Sequence, residues 1–153
     1  MTKFMIGASA GGHTNELLAL MEESDQWTLQ PTASVITMDM VRQPYEKWGT
    51  VYVIGECDRK KPLRTLAVIG RAFALALRER PSLFVTTGSA PMLFFGLFVR
   101  LFGGRFVWID SAAQIDKLSM SGRLARHLAN RTLAQWEHIA AENPGVEYRG
   151  ELV

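Results

Sequence analysis

A short apolar strand that runs straight into small residues and then a helix leaves this chain few folds to choose from. Phe4-Met5-Ile6 leads into Gly7-Ala8-Ser9-Ala10-Gly11-Gly12-His13, and an amphipathic pattern follows over 14–24. Strand, small-residue turn and helix together aim backbone N–H groups and the positive end of a helix dipole at one point, which favours an anionic ligand. The small side chains let that ligand approach the main chain closely. His13 stands at the first helical turn, where its ring can reach whatever is bound.

The rest of the chain repeats the alternation. Apolar, β-branched runs predict strands at 3–8, 33–38, 50–54, 82–87, 105–110 and 131–135, with a short extended piece near 146–149. Helical spacing predicts helices over 14–24, 63–79, 91–102 and 121–129. Such alternation implies an α/β fold: a Rossmann-like parallel sheet with helices on both faces, as one domain over 1–153. Gly55 to Pro62, with Asp58-Arg59-Lys60-Lys61, reads as an exposed loop.

In an open parallel sheet, ligands bind beyond the carboxyl ends of the strands, where the strand order reverses. Three such ends draw attention. The first strand ends in the glycine loop. The strand at 82–87 ends in Thr87-Gly88-Ser89-Ala90-Pro91, a second helix start with serine as cap and proline in the first turn. The strand at 105–110 ends in Asp110-Ser111.

Composition narrows the function classes. With 48% apolar and 21% charged residues the chain is a globular one. Residues 1–50 carry three basic and six acidic side chains, and the net charge of +2 therefore rests on a basic remainder. Aromatic residues are not interleaved with that basic charge, so no nucleic-acid partner is expected. Cys57 stands alone, and His13, His127 and His138 lack paired ligand spacing, so neither a disulfide nor a metal site is expected. No cofactor is expected either. The N-terminus lacks a signal-peptide pattern, and no run approaches the ~20 apolar residues that cross a bilayer.

The candidate chemistry centres on His13. The positive end of a helix dipole opposes imidazolium, so the ring is expected to be held neutral, able to take a proton from a hydroxyl as a general base. Glu16, one turn on, either orients that ring or complements the helix dipole. Asp110 either binds substrate hydroxyls or a partner's backbone, or caps Ser111-Ala112-Ala113. Ser119, Ser121, Gly122 and Arg123 form a polar helix start from which Arg123 reaches towards phosphate. The 92–102 segment, Met-Leu-Phe-Phe-Gly-Leu-Phe-Val-Arg-Leu-Phe, is apolar on nearly every side. Both it and 63–79 are flanked by Arg or Lys. The excess apolar surface, Phe94, Phe95 and Phe98 included, is expected to face a partner or a membrane interface.

These residues also resemble one family in order and spacing. They are Gly11-Gly12-His13 with Glu16, Thr86-Thr87-Gly88-Ser89, Ile109-Asp110-Ser111, Leu118-Ser119-Met120-Ser121-Gly122-Arg123-Leu124, Gln135-Trp136 and Tyr148-Arg149-Gly150. The family is the membrane-associated, acceptor-side subunit of split glycosyltransferases, with asparagine-linked glycosylation protein 14 and bacterial exopolysaccharide counterparts of the PssD type. Its Ser-x-x-Gly-Arg-Leu and Gln-Trp motifs are the most specific. Two departures stand out: the family often has Glu where this chain has Asp110, and Glu137-His138 follows Gln135-Trp136 where proline is usual.

The resemblance implies the N-terminal half of a GT-B-type enzyme. It implies a nucleotide-sugar-binding partner chain and a polyprenyl-pyrophosphate-linked saccharide acceptor held at the cytoplasmic membrane face, in surface polysaccharide or lipid-linked oligosaccharide synthesis. No anchor helix precedes the first strand, so attachment is expected to be peripheral or through a partner. In an inverting, metal-independent reaction His13 would be the catalytic base, with Gly11, Gly12, Glu16, Gly88, Ser89, Asp110, Ser111 and Arg123 binding substrate. The rival from another class is an NAD(P)-dependent oxidoreductase or a dinucleotide-binding module. Gly7-x-Ser9-x-x-Gly12 approximates its fingerprint and Asp39 follows the second strand. Against it, Ser9 replaces the glycine that admits pyrophosphate, and no Tyr-x-x-x-Lys pair is present. A non-catalytic membrane scaffold is a third class.

Overall fold

The computed structural model describes residues 2–152. Seven strands form one parallel sheet: β1 (Phe4–Ala8), β2 (Ala33–Ile36), β3 (Thr50–Val53), β4 (Leu83–Thr86), β5 (Arg105–Ile109), β6 (Arg131–Ala134) and β7 (Val146–Tyr148). Their order is β3-β2-β1-β4-β5-β6-β7, every neighbouring pair parallel. The order reverses between β1 and β4, which puts the loops after β1, β4 and β5 side by side on one rim. Five α-helices accompany the strands: α1 (Gly12–Glu22), α2 (Pro62–Glu79), α3 (Ala90–Leu101), α4 (Met120–Leu128) and α5 (Glu137–Glu142). The sequence pattern missed α5, whose six residues are too few to display a helical period. It also missed the 3₁₀ turns over Asp39–Val41 and Gln43–Trp48 that replace a helix between β2 and β3.

Strand side chains alternate between two cores. On one face Phe4, Ile6 and Ile36 pack against Leu17 and Met21 of α1 and against Tyr45 and Trp48. On the other, Met5, Val35, Phe84, Phe106 and Trp108 pack beneath α2, α3 and α4.

The nearly all-apolar α3 lies in this second core, and here the expectation of an exposed apolar face is corrected. Phe95 is fully buried. Phe73 of α2 stacks edge-on against Phe98 and Phe102, with ring centroids 5.2 and 5.5 Å away. A helix with the sheet beneath it and another helix above needs apolar residues nearly all round. Full burial of one such side chain is worth roughly 1.5–3 kcal/mol, so α3 stabilises the fold from inside.

Apart from Leu101 at the end of α3 (67% exposed), the exposed apolar surface lies largely elsewhere. Leu63 (80% exposed) and Leu66 (61%) project from the first turns of α2, and Met120 and Leu124 from α4. Among the described residues, no helix is long and apolar enough to cross a membrane.

The two sheet faces are not covered alike. Over β4, β5 and β6, the face towards α2, α3 and α4 is shut, with Phe84, Phe106 and Trp108 at 1% exposure or less. On the α1 side of the same strands, Leu83, Val85, Val107 and Leu133 are only half-buried, beside exposed Arg105 and Arg131. Parallel sheets are ordinarily covered on both faces. Half of this one is open.

Candidate functional site

Gly11 (φ 91°) turns the chain out of β1 and starts α1, which places His13 in the first turn. Its Nδ1 donates to the Thr87 carbonyl at 2.9 Å, and Thr87 Oγ1 donates back to the His13 carbonyl at 2.5 Å. A carbonyl can only accept, so the ring hydrogen is assigned to Nδ1, and neutral His13 keeps its lone pair on Nε2. Gly88 (φ 125°) makes room for this arrangement: a Cβ there would lie 2.9 Å from His13 Cε1.

Glu16 lies behind the ring, 4% exposed. Its Oε1 accepts from Ser111 Oγ (3.0 Å) and from the Ala112 amide (2.7 Å). Its Oε2 is buried without a hydrogen-bond partner, and lies 3.8 Å from His13 Nδ1. The His13 pKa is raised above 6.5, and Glu16 is the chief cause. At that distance the pair is a charge contact, since the Nδ1 hydrogen goes to Thr87. Burial opposes the rise; the Thr87 carbonyl and, more weakly, the charge of Asp110 add to it. The expectation that the helix dipole holds the ring neutral is therefore corrected. The buried Glu16 carboxylate one turn on raises the pKa of the ring instead.

Asp110, 2% exposed, spends both carboxylate oxygens on the protein. Oδ1 accepts from Trp108 Nε1 (3.0 Å) and Ser119 Oγ (2.5 Å), and Oδ2 from the Ser119 amide (2.8 Å). Ser119 Oγ in turn caps α4 by accepting from the Gly122 amide at 2.8 Å. Gly122 permits the contact, because a Cβ on it would meet Asp110 Oδ1 at 2.4 Å. Neither alternative for Asp110 holds: its carboxylate does not line the cavity, and the Ala112 amide of the turn it could have capped is taken by Glu16. Gln135 donates to the Asp110 carbonyl (3.0 Å) and Trp136 Nε1 to the Ala112 carbonyl (2.8 Å). Thus the two most distinctive motifs do the same local work: they fix the 110–113 turn and the start of α4 against the end of β5.

These elements enclose a cavity of about 380 Å³, lined by Gly12, His13, Arg59, Ser89, Ser111 and Ser121 among others. The N-termini of α1, α3 and α4 all reach it through Gly12, Ser89 and Ser119. Three helix N-termini and the Arg59 guanidinium make it suited to an anion carrying hydroxyl-rich substituents. Ser89 does not cap α3. It sits at φ 98°, ψ 159°, a region nearly confined to glycine, with its Oγ buried and unpaired.

Of the residues singled out from sequence, Gly12, His13, Ser89, Ser111, Ser119 and Ser121 line the cavity. Gly88, Glu16 and Asp110 are buried behind its wall, while Gly11 and Arg123 are exposed outside its lining. Arg59 supplies the cationic side chain that Arg123 does not. Its only signal in the sequence was the basic loop before 63–79, and only the fold carries that loop to the rim, where Arg59 Nη2 lies 3.6 Å from Met120 Sδ. A larger cleft of about 620 Å³, lined by Glu22, Asp25, Lys47 and Trp48, lies at the amino ends of β2 and β3, away from these groups. Asp39, the acid of the dinucleotide-binding alternative, is exposed on a 3₁₀ turn and paired with Arg42 at 2.6 Å.

The family model for "Oligosaccharide biosynthesis protein Alg14 like" matches residues 53–152. The chain belongs to that family. Relatives span its whole length. The UDP-N-acetylglucosamine transferase subunit ALG14 of Yarrowia lipolytica is 23% identical over 99% of this chain and 81% of its own. The human protein of the same name is 24% identical over 97% and 82%.

Solved structures agree on the fold. Acinetobacter baumannii MurG superposes with a TM-score of 0.74 at 15% identity, over 97% of this chain and 45% of its own. The UDP-bound MnaA of S. aureus gives 0.70 at 15% identity, over 99% and 44%. This Alg14-like chain therefore has the Rossmann-like fold of about half of a GT-B-like molecule. Its relatives are glycosyltransferase subunits by name.

Proposed function

We propose that the chain is the acceptor-binding subunit of an inverting glycosyltransferase, acting with a separate chain that binds the nucleotide sugar. The observation that carries this is the cavity at the switch point, where an oriented imidazole, Arg59 and three helix N-termini face one space. The helix ends and Arg59 would hold the diphosphate of a polyprenyl-linked saccharide, and the serines its hydroxyls. His13 Nε2 would take the proton of the acceptor hydroxyl as that oxygen attacks the anomeric carbon. The bond from that carbon to the nucleotide diphosphate breaks and the configuration inverts. The names of the relatives make UDP-N-acetylglucosamine the first donor to supply.

The lipid tail of such an acceptor stays in a bilayer, so the cavity would face a membrane. Met120 lines the cavity beside Arg59, Leu124 follows one turn on in α4, and Leu63 and Leu66 open the helix after the Arg59 loop; these and Lys60, Lys61, Arg64 and Arg123 are exposed. Apolar insertion edged by cations suits an anionic surface, here the cytoplasmic face of the cell membrane. Vesicles of anionic lipid should co-sediment the chain, less at high salt but not zero, because screening leaves the apolar part intact. Leu63→Ser with Leu66→Ser should weaken this binding severalfold without lowering the melting temperature, since both side chains are exposed. Unchanged co-sedimentation of the double variant would remove this surface from the membrane.

Ligand choice tests the cavity itself. A short-chain polyprenyl-diphosphate saccharide in detergent should bind the isolated chain saturably, and Arg59→Ala should weaken it about tenfold, the loss of one charge-assisted contact. NAD should not compete. Saturable NAD binding with no acceptor binding would restore the dinucleotide-binding alternative.

A further inference from the structure

We infer that Glu16 is the positioning residue of His13: a carboxylate clamped by the turn after β5 so that its free oxygen faces the imidazole and receives the charge that base catalysis creates. The inference rests on the proposed role of His13 and adds the group that makes it work.

Complementing the dipole of its own helix does not explain Glu16. Its hydrogen-bond donors are Ser111 Oγ and the Ala112 amide, 95 and 96 residues away, and none belongs to the first turn of α1. These two donors both hold Oε1, which fixes the plane of the carboxylate. Oε2 is left buried, unpaired and 3.8 Å from Nδ1. Oε2 has no hydrogen-bond donor of its own, so a positive charge formed on the neighbouring ring is the group it is placed to answer.

The other groups facing the ring divide cleanly. Thr87 and Gly88, on the loop after β4, bring a carbonyl and a close approach but no charge. Asp110 at the end of β5 is committed to Ser119 and Trp108. Arg59 lines the cavity from the loop before α2, and its charge opposes imidazolium. Glu16 alone combines a fixed carboxylate with an oxygen free to respond. Ser111 touches both Glu16 and the cavity, and so links the clamp to the bound ligand.

The chain can be tested alone, without a partner or any transfer reaction. In a ¹⁵N-labelled sample, the ring signals of His13 are assigned by their loss in His13→Gln and followed against pH. The parent should show the Nδ1–H tautomer and a midpoint above 6.5. Glu16→Gln should lower that midpoint by about one unit, because the imidazolium loses its nearest anion. Glu16→Asp, which keeps the charge but retracts it, should fall between. In the reconstituted transferase, Glu16→Gln should move the acid limb of kcat/KM to lower pH with acceptor KM unchanged. An unmoved midpoint in a folded Glu16→Gln variant overturns the inference. Should that variant fail to fold, a parent midpoint at or below 6.5 overturns it equally. Shifted midpoints with no transfer activity would leave the coupling standing and sink only the assignment of His13 as base.

Discussion

Replacing His13 with alanine lowers kcat/KM of the reconstituted transferase by about a hundredfold or more, the usual contribution of a positioned general base. The fold barely registers the change. His13 is on the surface of the cavity, and the variant gives up one hydrogen bond to Thr87, worth about 1 kcal/mol, or a few degrees in melting temperature. A loss of activity at nearly constant stability is therefore the signature to seek.

The parent enzyme should also have an acid limb set by this residue. Only the unprotonated ring accepts a proton, and Glu16 holds its pKa above 6.5. Activity should thus fall about tenfold per unit as pH drops below that raised value, and level off above it. A His13→Ala complex with near-normal turnover would reduce His13 to a binding residue.

Much of the fold was legible because strand and helix periods are local. All seven extended segments and four of the helices lie where the apolar spacing places them. What spacing could not convey was how many layers cover each element. The apolar excess of α3 reads as a surface for a membrane until α2 is seen lying over it, and the free leucines turn out to be at the start of α2.

The site was legible in its positions and less so in its roles. Gly11-Gly12-His13, Gly88-Ser89 and Asp110-Ser111 do converge at the switch point. Whether a carboxylate faces ligand or protein depends on which donors the fold brings to it: Glu16 is held by donors 95 and 96 residues away, Asp110 by Trp108 and Ser119 across the β5–α4 connection. Asp110 is consumed by Ser119 and Trp108, while Glu16 takes the Ala112 amide that Asp110 seemed placed to cap. Likewise, the raised pKa of His13 comes chiefly from Glu16 one turn on in α1, whose carboxylate is buried and held by the turn after β5.

The relatives are named as subunits, and the chain offers a surface for the proposed partner. The solved structures that share the fold are more than twice as long, this chain covering 45% of MurG. On the chain itself, Leu83, Val85, Val107 and Leu133 leave one sheet face half-covered, with Arg105 and Arg131 at its edge. A partner presenting apolar side chains edged by acidic ones would complete that layer, and a second domain would supply the other wall of the cavity. Val107→Asp should accordingly leave the chain folded, because that side chain is only half-buried, and prevent assembly by placing an unpaired charge in the contact.

The most direct measurement is a transfer assay with UDP-N-acetylglucosamine and a polyprenyl-diphosphate-linked acceptor, run on the purified chain and again with its nucleotide-sugar-binding partner added. On the proposed division between acceptor and donor subunits, the chain alone should give no product above background; the complex should transfer sugar with inversion at the anomeric carbon. Sustained turnover by the chain alone, or an active complex in which the acceptor binds only to the partner, would contradict the assignment of this chain as the acceptor half of a split enzyme.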